Sequence, residues 1–375
     1  MVNKANTAAG LYVLGRLYPQ VTGGMEIFNY YFLNNRLNRE KETIYYLGEN
    51  RTENPNGCFV PMKNWWPATF FNPVQFFLAV FRLRKTLDYA YLSYAEESVV
   101  ISYLRALTLK MFKIPYIITI HWGKEPDWKF RFPYVFYFSQ AHAVIGVSEP
   151  ICIAFKKAIP QRDFLYIPPL IPFQHAPKTK PEAKKQLGYE QEERILLFAG
   201  SLKAMKNPDK IVETFRELGT SFLEEHNIRL ILAGRGDMET ELKARIENYQ
   251  LAKYIRVPGL VSREAMPDYY RAAEVYIISS DYEGTSLSLM EAMFNQLPII
   301  ASDAPGINGM LKHEQNALLY ETKNTGQMAD TIKRIFTDRL LAEKLAETAF
   351  RDFSCKYSYE GMMEKYQSVF SAAIS

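Results

Sequence analysis

The sequence predicts an α/β protein of two domains, each a parallel sheet covered by helices. Three observations predict it. The chain has 375 residues, too many for one ordinary core and suited to two domains of roughly 150–200 residues each. Short continuous apolar runs, of the kind that buried parallel strands make, recur in both halves. In the second half these runs alternate with helical patterns, the signature of a sheet with helices on both faces.

Taken in order, residues 11–14 form the first strand candidate, 18–24 a loop and 25–37 a helix. Residues 116–120 and 143–147 are further strands. The run Ile167-Pro168-Pro169-Leu170-Ile171-Pro172 and the charged stretch 178–185 break the pattern, which places the linker there. Beyond it, strands at 195–199, 230–233, 255–257, 276–278 and 299–301 each lead through a turn into a helix. The expected domains are 1–175 and 176–355, with 356–375 a helix packing back on the first.

Composition narrows the class. Apolar residues make up 48% and charged residues 23%, as in soluble globular proteins. The cysteines, Cys58, Cys152 and Cys355, are scattered and odd in number, which argues against a disulfide framework or a zinc site and fits a reducing compartment. The first residues lack the basic, apolar and small-residue order of a signal peptide, and no run approaches the ~18 apolar residues of a membrane span. The expected location is cytoplasmic. Residues 1–180 carry 21 Lys/Arg against 12 Asp/Glu, a net of +9, and the remainder carries −5. The basic half is expected to face something anionic.

Residues 279–291 read Ser-Ser-Asp-Tyr-Glu-Gly-Thr-Ser-Leu-Ser-Leu-Met-Glu, between an apolar run of strand length and a helical pattern. Glu283 and Glu291 bracket a short stretch rich in glycine and hydroxyl residues at that junction. A helix N-terminus offers unpaired N–H groups and a positive dipole end, so it can hold a diphosphate. Carboxylates there can accept hydrogen bonds from sugar or ribose hydroxyls. The pattern suits a nucleotide-sugar. Ser288 and Glu291 also have capping-box spacing, a purely structural alternative.

Other candidates sit at strand ends. Gly234-Arg235-Gly236 follows a strand but lacks the third glycine of the dinucleotide fingerprint, so a dehydrogenase is weakly supported. Gly23-Gly24 could bring backbone close to a phosphate or form a simple turn. Lys206, just before Asn207-Pro208 and a helix, could set its ammonium beside a diphosphate or be a solvated loop lysine. His121 ends a strand, where it could bond a sugar hydroxyl or be a satisfied structural histidine. No histidine pairs with Cys or carboxylates at metal-ligand spacing.

Residues 198–202 ending at Lys206-Asn207, then 232–236, 259–261, 283–291 and 297–302, occur in an order that resembles glycosyltransferase family 4. The first half is similar more loosely, through Gly23-Gly24 and Thr119-Ile120-His121. The resemblance implies a GT-B architecture, two Rossmann-like domains facing a central cleft, and a retaining transferase (EC 2.4) that needs neither metal nor cofactor. It implies that Lys206 neutralises the donor diphosphate and that backbone N–H groups of Gly284, Thr285, Ser286 and Leu287 hold its oxygens. Glu291 would bind ribose and Glu283 the transferred sugar, with His121 touching that sugar from the first domain. Gly23 and Gly24 would close over the diphosphate, and the loop around Gly259 and Val261 would touch the base. Ser201 stands where the family usually has arginine, so one cationic contact is missing or comes from elsewhere, such as Lys203. Thr285-Ser286 replaces a frequent Phe-Gly, and Pro168-Pro169-Leu170 replaces a glycine-asparagine turn.

The expected reaction moves a hexose-type sugar from a nucleoside-diphosphate sugar to a glycan or polyprenyl-linked acceptor, in surface polysaccharide or glycoconjugate assembly. Its rivals are a nucleotide-sugar epimerase or hydrolase, and a silent sugar-nucleotide-binding subunit. Between Phe59 and Lys85, aromatic residues including Trp65 and Trp66 stand beside cations including Arg82 and Arg84. Such a surface could rest on an anionic membrane at the inner face of the cell, a reading the charge asymmetry supports; the alternative is a core of aromatics with a solvated cationic face. Nucleic acid is a poorer match, since no recognition motif accompanies the charge.

Overall fold

The computed structural model describes residues 8–15, 24–37, 42–48, 56–61, 68–94, 99–121, 131–169 and 171–374. The chain divides into two units, Met1–Pro172 with Tyr359–Ser375, and Phe173–Ser358.

The first unit runs β1 (Ala8–Gly15), α1 (Gly24–Leu37), β2 (Glu42–Gly48), β3 (Gly57–Pro61), α2 (Ala68–Leu83), β4 (Tyr89–Tyr94) and α3 (Val99–Met111). It continues with β5 (Tyr116–Ile120), α4 (Arg131–Ser139), β6 (Ala143–Gly146), α5 (Glu149–Ala158) and β7 (Leu165–Tyr166). The second unit runs α6 (Lys180–Gln186), β8 (Arg194–Ala199), α7 (Pro208–Glu225), β9 (Ile228–Ala233), α8 (Glu239–Asn248), β10 (Ile255–Gly259) and α9 (Met266–Ala272). After these come β11 (Ala273–Ile278), α10 (Leu287–Phe294), β12 (Ile299–Ser302), β13 (Leu318–Tyr320), α11 (Thr325–Thr337) and α12 (Arg339–Lys356). The last helix, α13 (Tyr359–Ile374), belongs to the first unit.

Both sheets are Rossmann-like. The first has the order β3-β2-β1-β4-β5-β6-β7 and the second β10-β9-β8-β11-β12-β13, and each pair of neighbours is parallel. The continuous apolar runs have a physical reason. Successive strand residues point to opposite faces, and both faces are covered: Leu196 and Phe198 of β8 join one buried cluster while Ile195, Leu197 and Ala199 join the other.

The stretch 178–185, expected to be linker, folds as α6. Thr179 and Glu182 form a capping box, with the Thr179 N–H donating to Glu182 Oε2 at 2.8 Å. Lys184 is buried: its Nζ donates to the carbonyls of Gln191 at 3.0 Å and Glu193 at 2.6 Å, and lies 2.9 Å from Glu274. The charge that resembled a solvated break is partly internal wiring.

Aromatic packing fastens α13 to the first sheet. Phe370 is buried, stacked on Tyr12 at 6.2 Å and set against Tyr89, Tyr91 and Phe32. The buried Arg36 guanidinium covers its ring at 4.4 Å and donates to the Tyr12 hydroxyl at 3.1 Å. A cation on an aromatic face in a dry site is worth more than at the surface. Phe370→Ala should cost about 3–5 kcal/mol. The thermal transition of the full chain's first unit should fall by about 10 °C. An unchanged transition would show that α13 is not fastened by this ring.

Candidate functional site

In an open parallel sheet, ligands bind beyond the carboxyl ends of the strands at the point where strand order reverses. In the second sheet that point lies between β8 and β11, which are hydrogen-bonded neighbours. Lys206 lies in the loop leaving β8, and Glu283 in the loop leaving β11. The structure brings them together: Lys206 Nζ is 2.5 Å from Glu283 Oε1. Glu283 is buried, and its Oε1 also accepts from the Ser280 hydroxyl at 2.6 Å.

The two loops are stitched to each other. Asn207 takes a left-handed backbone conformation (φ 47°) and its buried amide donates to the Ser279 carbonyl at 2.9 Å and to Asp281 Oδ1 at 2.6 Å. Ser279 Oγ donates to the Lys206 carbonyl at 2.6 Å, and the Asp281 N–H donates to the Met205 carbonyl at 2.9 Å. From outside, Ser302 Oγ donates to the Ser280 carbonyl at 2.7 Å. These bonds fix the rotamer field of the ion pair, and the pair needs such support because burying two charges is costly.

Gly306 braces the same carboxylate. Its φ is +88°, and a Cβ there would stand 1.8 Å from the Glu283 carbonyl oxygen. The Glu283 N–H donates to the Pro305 carbonyl at 3.0 Å. Only glycine allows this approach of two chains. No pattern around residue 306 signals the requirement, because it comes from a carbonyl 23 residues earlier. Gly234 is similar. Its Cβ would stand 1.8 Å from the Gly200 carbonyl oxygen, so this glycine lets the ends of β8 and β9 pack rather than cradling a dinucleotide.

Helix α10 begins at Leu287 with Ser286 as its cap, the Ser286 hydroxyl accepting from the Leu289 N–H at 3.4 Å. The cap is therefore Ser286, and the alternative reading of Ser288 and Glu291 as a capping box does not hold. Ser288 instead accepts from the buried Tyr276 hydroxyl at 2.8 Å. Residues Gly284, Thr285, Ser286 and Leu287 therefore form the entry to α10, one turn beyond Glu283. Glu291 lies within α10 and faces Arg263, whose Nη1 donates to Oε1 at 3.0 Å. Arg263 comes from the loop between β10 and α9, and the sequence carried no signal for it. Burial raises the Glu291 carboxyl above its ordinary pKa, while Arg263 and Tyr270 pull it back.

Gly259 ends β10 at φ +79° and its carbonyl accepts from the Gly234 N–H at 2.9 Å. Val261 is half-buried against the core beside α9 and α10, and Leu260 between them is exposed. Ser201 is half-buried after β8, and Lys203 is exposed. His121 belongs to the first unit, at the carboxyl end of β5. Its ring packs on Phe28 at 4.7 Å, and its Nε2 is buried with no partner among the described residues. Burial lowers its pKa to about 3, which keeps the imidazole neutral. Gly24 opens α1, whereas Gly23, Trp65 and Trp66 lie outside the described residues. Arg82 is exposed at the end of α2, and the Arg84 guanidinium lies 3.9 Å from the Phe81 ring centroid. All three cysteines are free. Among the described residues no group of three or more His, Cys, Asp or Glu could hold a metal ion.

Residues 179–352, nearly the whole second unit, match the family model described as Glycosyl transferases group 1. An uncharacterised glycosyltransferase of Methanocaldococcus jannaschii is 26% identical over 191 residues, covering 51% of this chain and 48% of that protein. The alpha-D-kanosaminyltransferase of Streptomyces kanamyceticus is 24% identical over 176 residues, covering 47% and 45%. The chain spans about half the length of these curated relatives. Among solved structures, Anabaena HepE in complex with UDP and glucose superposes with a TM-score of 0.79 at 16% identity, over 97% of this chain and 100% of that one. The fold is GT-B.

Proposed function

We propose that the protein is a retaining glycosyltransferase that moves a hexose-type sugar from a nucleoside-diphosphate sugar to a glycan or polyprenyl-linked acceptor. The carrying observation is the Lys206–Glu283 pair at the strand-order reversal of the second sheet, beside the N-terminus of α10. A cation, a sugar-binding carboxylate and a positive helix end meet where a parallel sheet takes its ligand. HepE was solved with UDP and glucose, which supports such a donor. The Streptomyces relative is named for an alpha transfer, which supports retention from an alpha-linked donor.

In this reading the second unit holds the donor and the first the acceptor. The acceptor hydroxyl attacks the anomeric carbon, the bond from that carbon to the diphosphate breaks, and the hydroxyl proton passes to a departing phosphate oxygen. Lys206 turns from Glu283 to the diphosphate as charge grows there, joined by the N–H groups of residues 284–287. Glu283, still held by Ser280, accepts from the sugar hydroxyls, and Glu291 accepts from the ribose. The loop at Gly259 and Val261 borders the base. His121, neutral with its Nε2 unpaired among the described residues, is the first unit's candidate for bonding a sugar hydroxyl. No metal or further cofactor enters the scheme, and the work is done at the cytoplasmic face of a membrane during surface polysaccharide or glycoconjugate assembly.

Lys206→Ala, Glu283→Gln and Glu291→Ala should each lower sugar transfer by about 10²–10³ in protein that still unfolds cooperatively. Donor consumption with and without acceptor, followed by product analysis, checks this. Full turnover in any variant removes that residue from the scheme, and consumption without transfer points to hydrolysis or epimerisation.

Gly306→Ala should push the Glu283 backbone aside and lower kcat by about 10²-fold, since a displacement near 1 Å costs that much. A kcat equal to that of the unmodified protein would show that Glu283 tolerates the shift.

Donor binding should weaken at acid pH as Glu291 is protonated. Arg263 stabilises the ionised form, so Arg263→Ala should raise the Glu291 pKa and move the acid limb of binding to higher pH. Arg263→Lys should move it less. Titration of donor affinity from pH 4 to 8 reads both, and superimposed profiles would take Arg263 out of this role.

A further inference from the structure

We propose that the outward face of α2 and α3 in the first unit lies on an anionic lipid bilayer. Between Val74 and Phe81, Gln75 apart, α2 carries apolar residues on both of its faces. Phe76, Ala79 and Val80 are buried against the sheet, while Val74, Phe77, Leu78 and Phe81 share the opposite face and are 36–46% exposed. Their spacing, i, i+3, i+4 and i+7, makes one continuous stripe. Phe112, just past α3, joins that stripe to the next helix, with ring centroids 5.8 Å from Phe77 and 6.1 Å from Phe81. Leu107 and Met111, one turn apart on α3, are exposed as well. A soluble surface scatters single apolar residues, but a contiguous aromatic stripe marks an interaction site.

Charge selects the occupant. Helices α2, α3 and α4 contain no Asp or Glu. Arg82, Arg84 and Lys85 gather at the end of α2, and Lys110 and Lys113 at the end of α3. A two-fold contact between copies would set these cations against one another. An acyl boundary beneath and lipid phosphates beside the cations satisfy both parts of the surface. Among the described residues no helix is long and apolar enough to cross a membrane. The inference deepens the reading of a polyprenyl-linked acceptor and rests on that reading for its purpose.

The test is co-sedimentation of the full chain with phosphatidylcholine vesicles that contain or lack 30% phosphatidylglycerol. Binding should require the anionic lipid. Phe77→Ser with Phe81→Ser should lower it at least tenfold, and Arg82→Gln with Lys85→Gln about fivefold per cation. Thermal transitions and binding of a soluble nucleotide-sugar should stay unchanged in both variants, which separates this outcome from failure of the transferase reading. Equal sedimentation of variants and unmodified protein would overturn the proposal. So would a lipid-free dimer that the same substitutions dissolve, since the face would then belong to a second copy.

Discussion

The second unit is organised around one constraint: a buried carboxylate at the carboxyl end of β11 must be balanced by a cation delivered from the end of β8. An isolated buried charge costs several kcal/mol, and a buried ion pair seldom repays its desolvation in full. Packing alone would be served as well by two apolar side chains. The cost is instead carried by a web of bonds: Asn207 and Ser279 tie one loop to the other, Ser302 ties the second loop to β12, and Ser280 holds the Glu283 carboxylate within its own loop. What this web gains is a lysine whose charge is committed to a partner of lesser charge than a diphosphate. In the proposed reaction the incoming donor outbids Glu283 for Lys206, and the Ser280 hydroxyl keeps the released carboxylate satisfied.

The legible parts of this arrangement were those set by local rules. Parallel strands show themselves because both faces are covered, so β8, β9, β11 and β12 read as unbroken apolar runs. Lys206 and Glu283 could be singled out because they stand where such runs end. Thr179 and Glu182 also obeyed a local rule, three residues apart before a helix, but the surrounding lysines disguised it as linker. Arg263 and Gly306 followed no local rule. Arg263 is defined by a carboxylate 28 residues later, and Gly306 by a carbonyl on another loop. Requirements that arise only when distant segments meet leave no trace in spacing.

The capping of α10 shows how small the margin can be. Ser286 and Ser288 both precede the apolar run, and Ser288 has an acidic residue three positions on. The capping-box rule favours Ser288, yet the tertiary structure assigns Ser288 to the Tyr276 hydroxyl and leaves the cap to Ser286. Moving the cap two residues earlier places Glu291 within the helix rather than in its first turn. There it is half-buried and meets Arg263, a setting in which its protonation state becomes sensitive to a single cation.

Aromatic residues pose the same problem on a larger scale. The chain has 25 Tyr and 24 Phe, and composition cannot say which of them face inward. Tyr12, Tyr91 and Phe32 are enclosed because α13 returns across them with Phe370. Phe76 and Phe77 are neighbours in sequence, yet one is buried and the other exposed. On a helix whose two faces are equally apolar, periodicity gives no preferred side, because the hydrophobic stripe has no polar stripe to contrast with it. Only the position of the sheet decides. A helix of this kind has one face paid for by the core and a second that water solvates poorly. The cations at its end and the absence of acidic residues along it then determine what kind of surface can cover that second face.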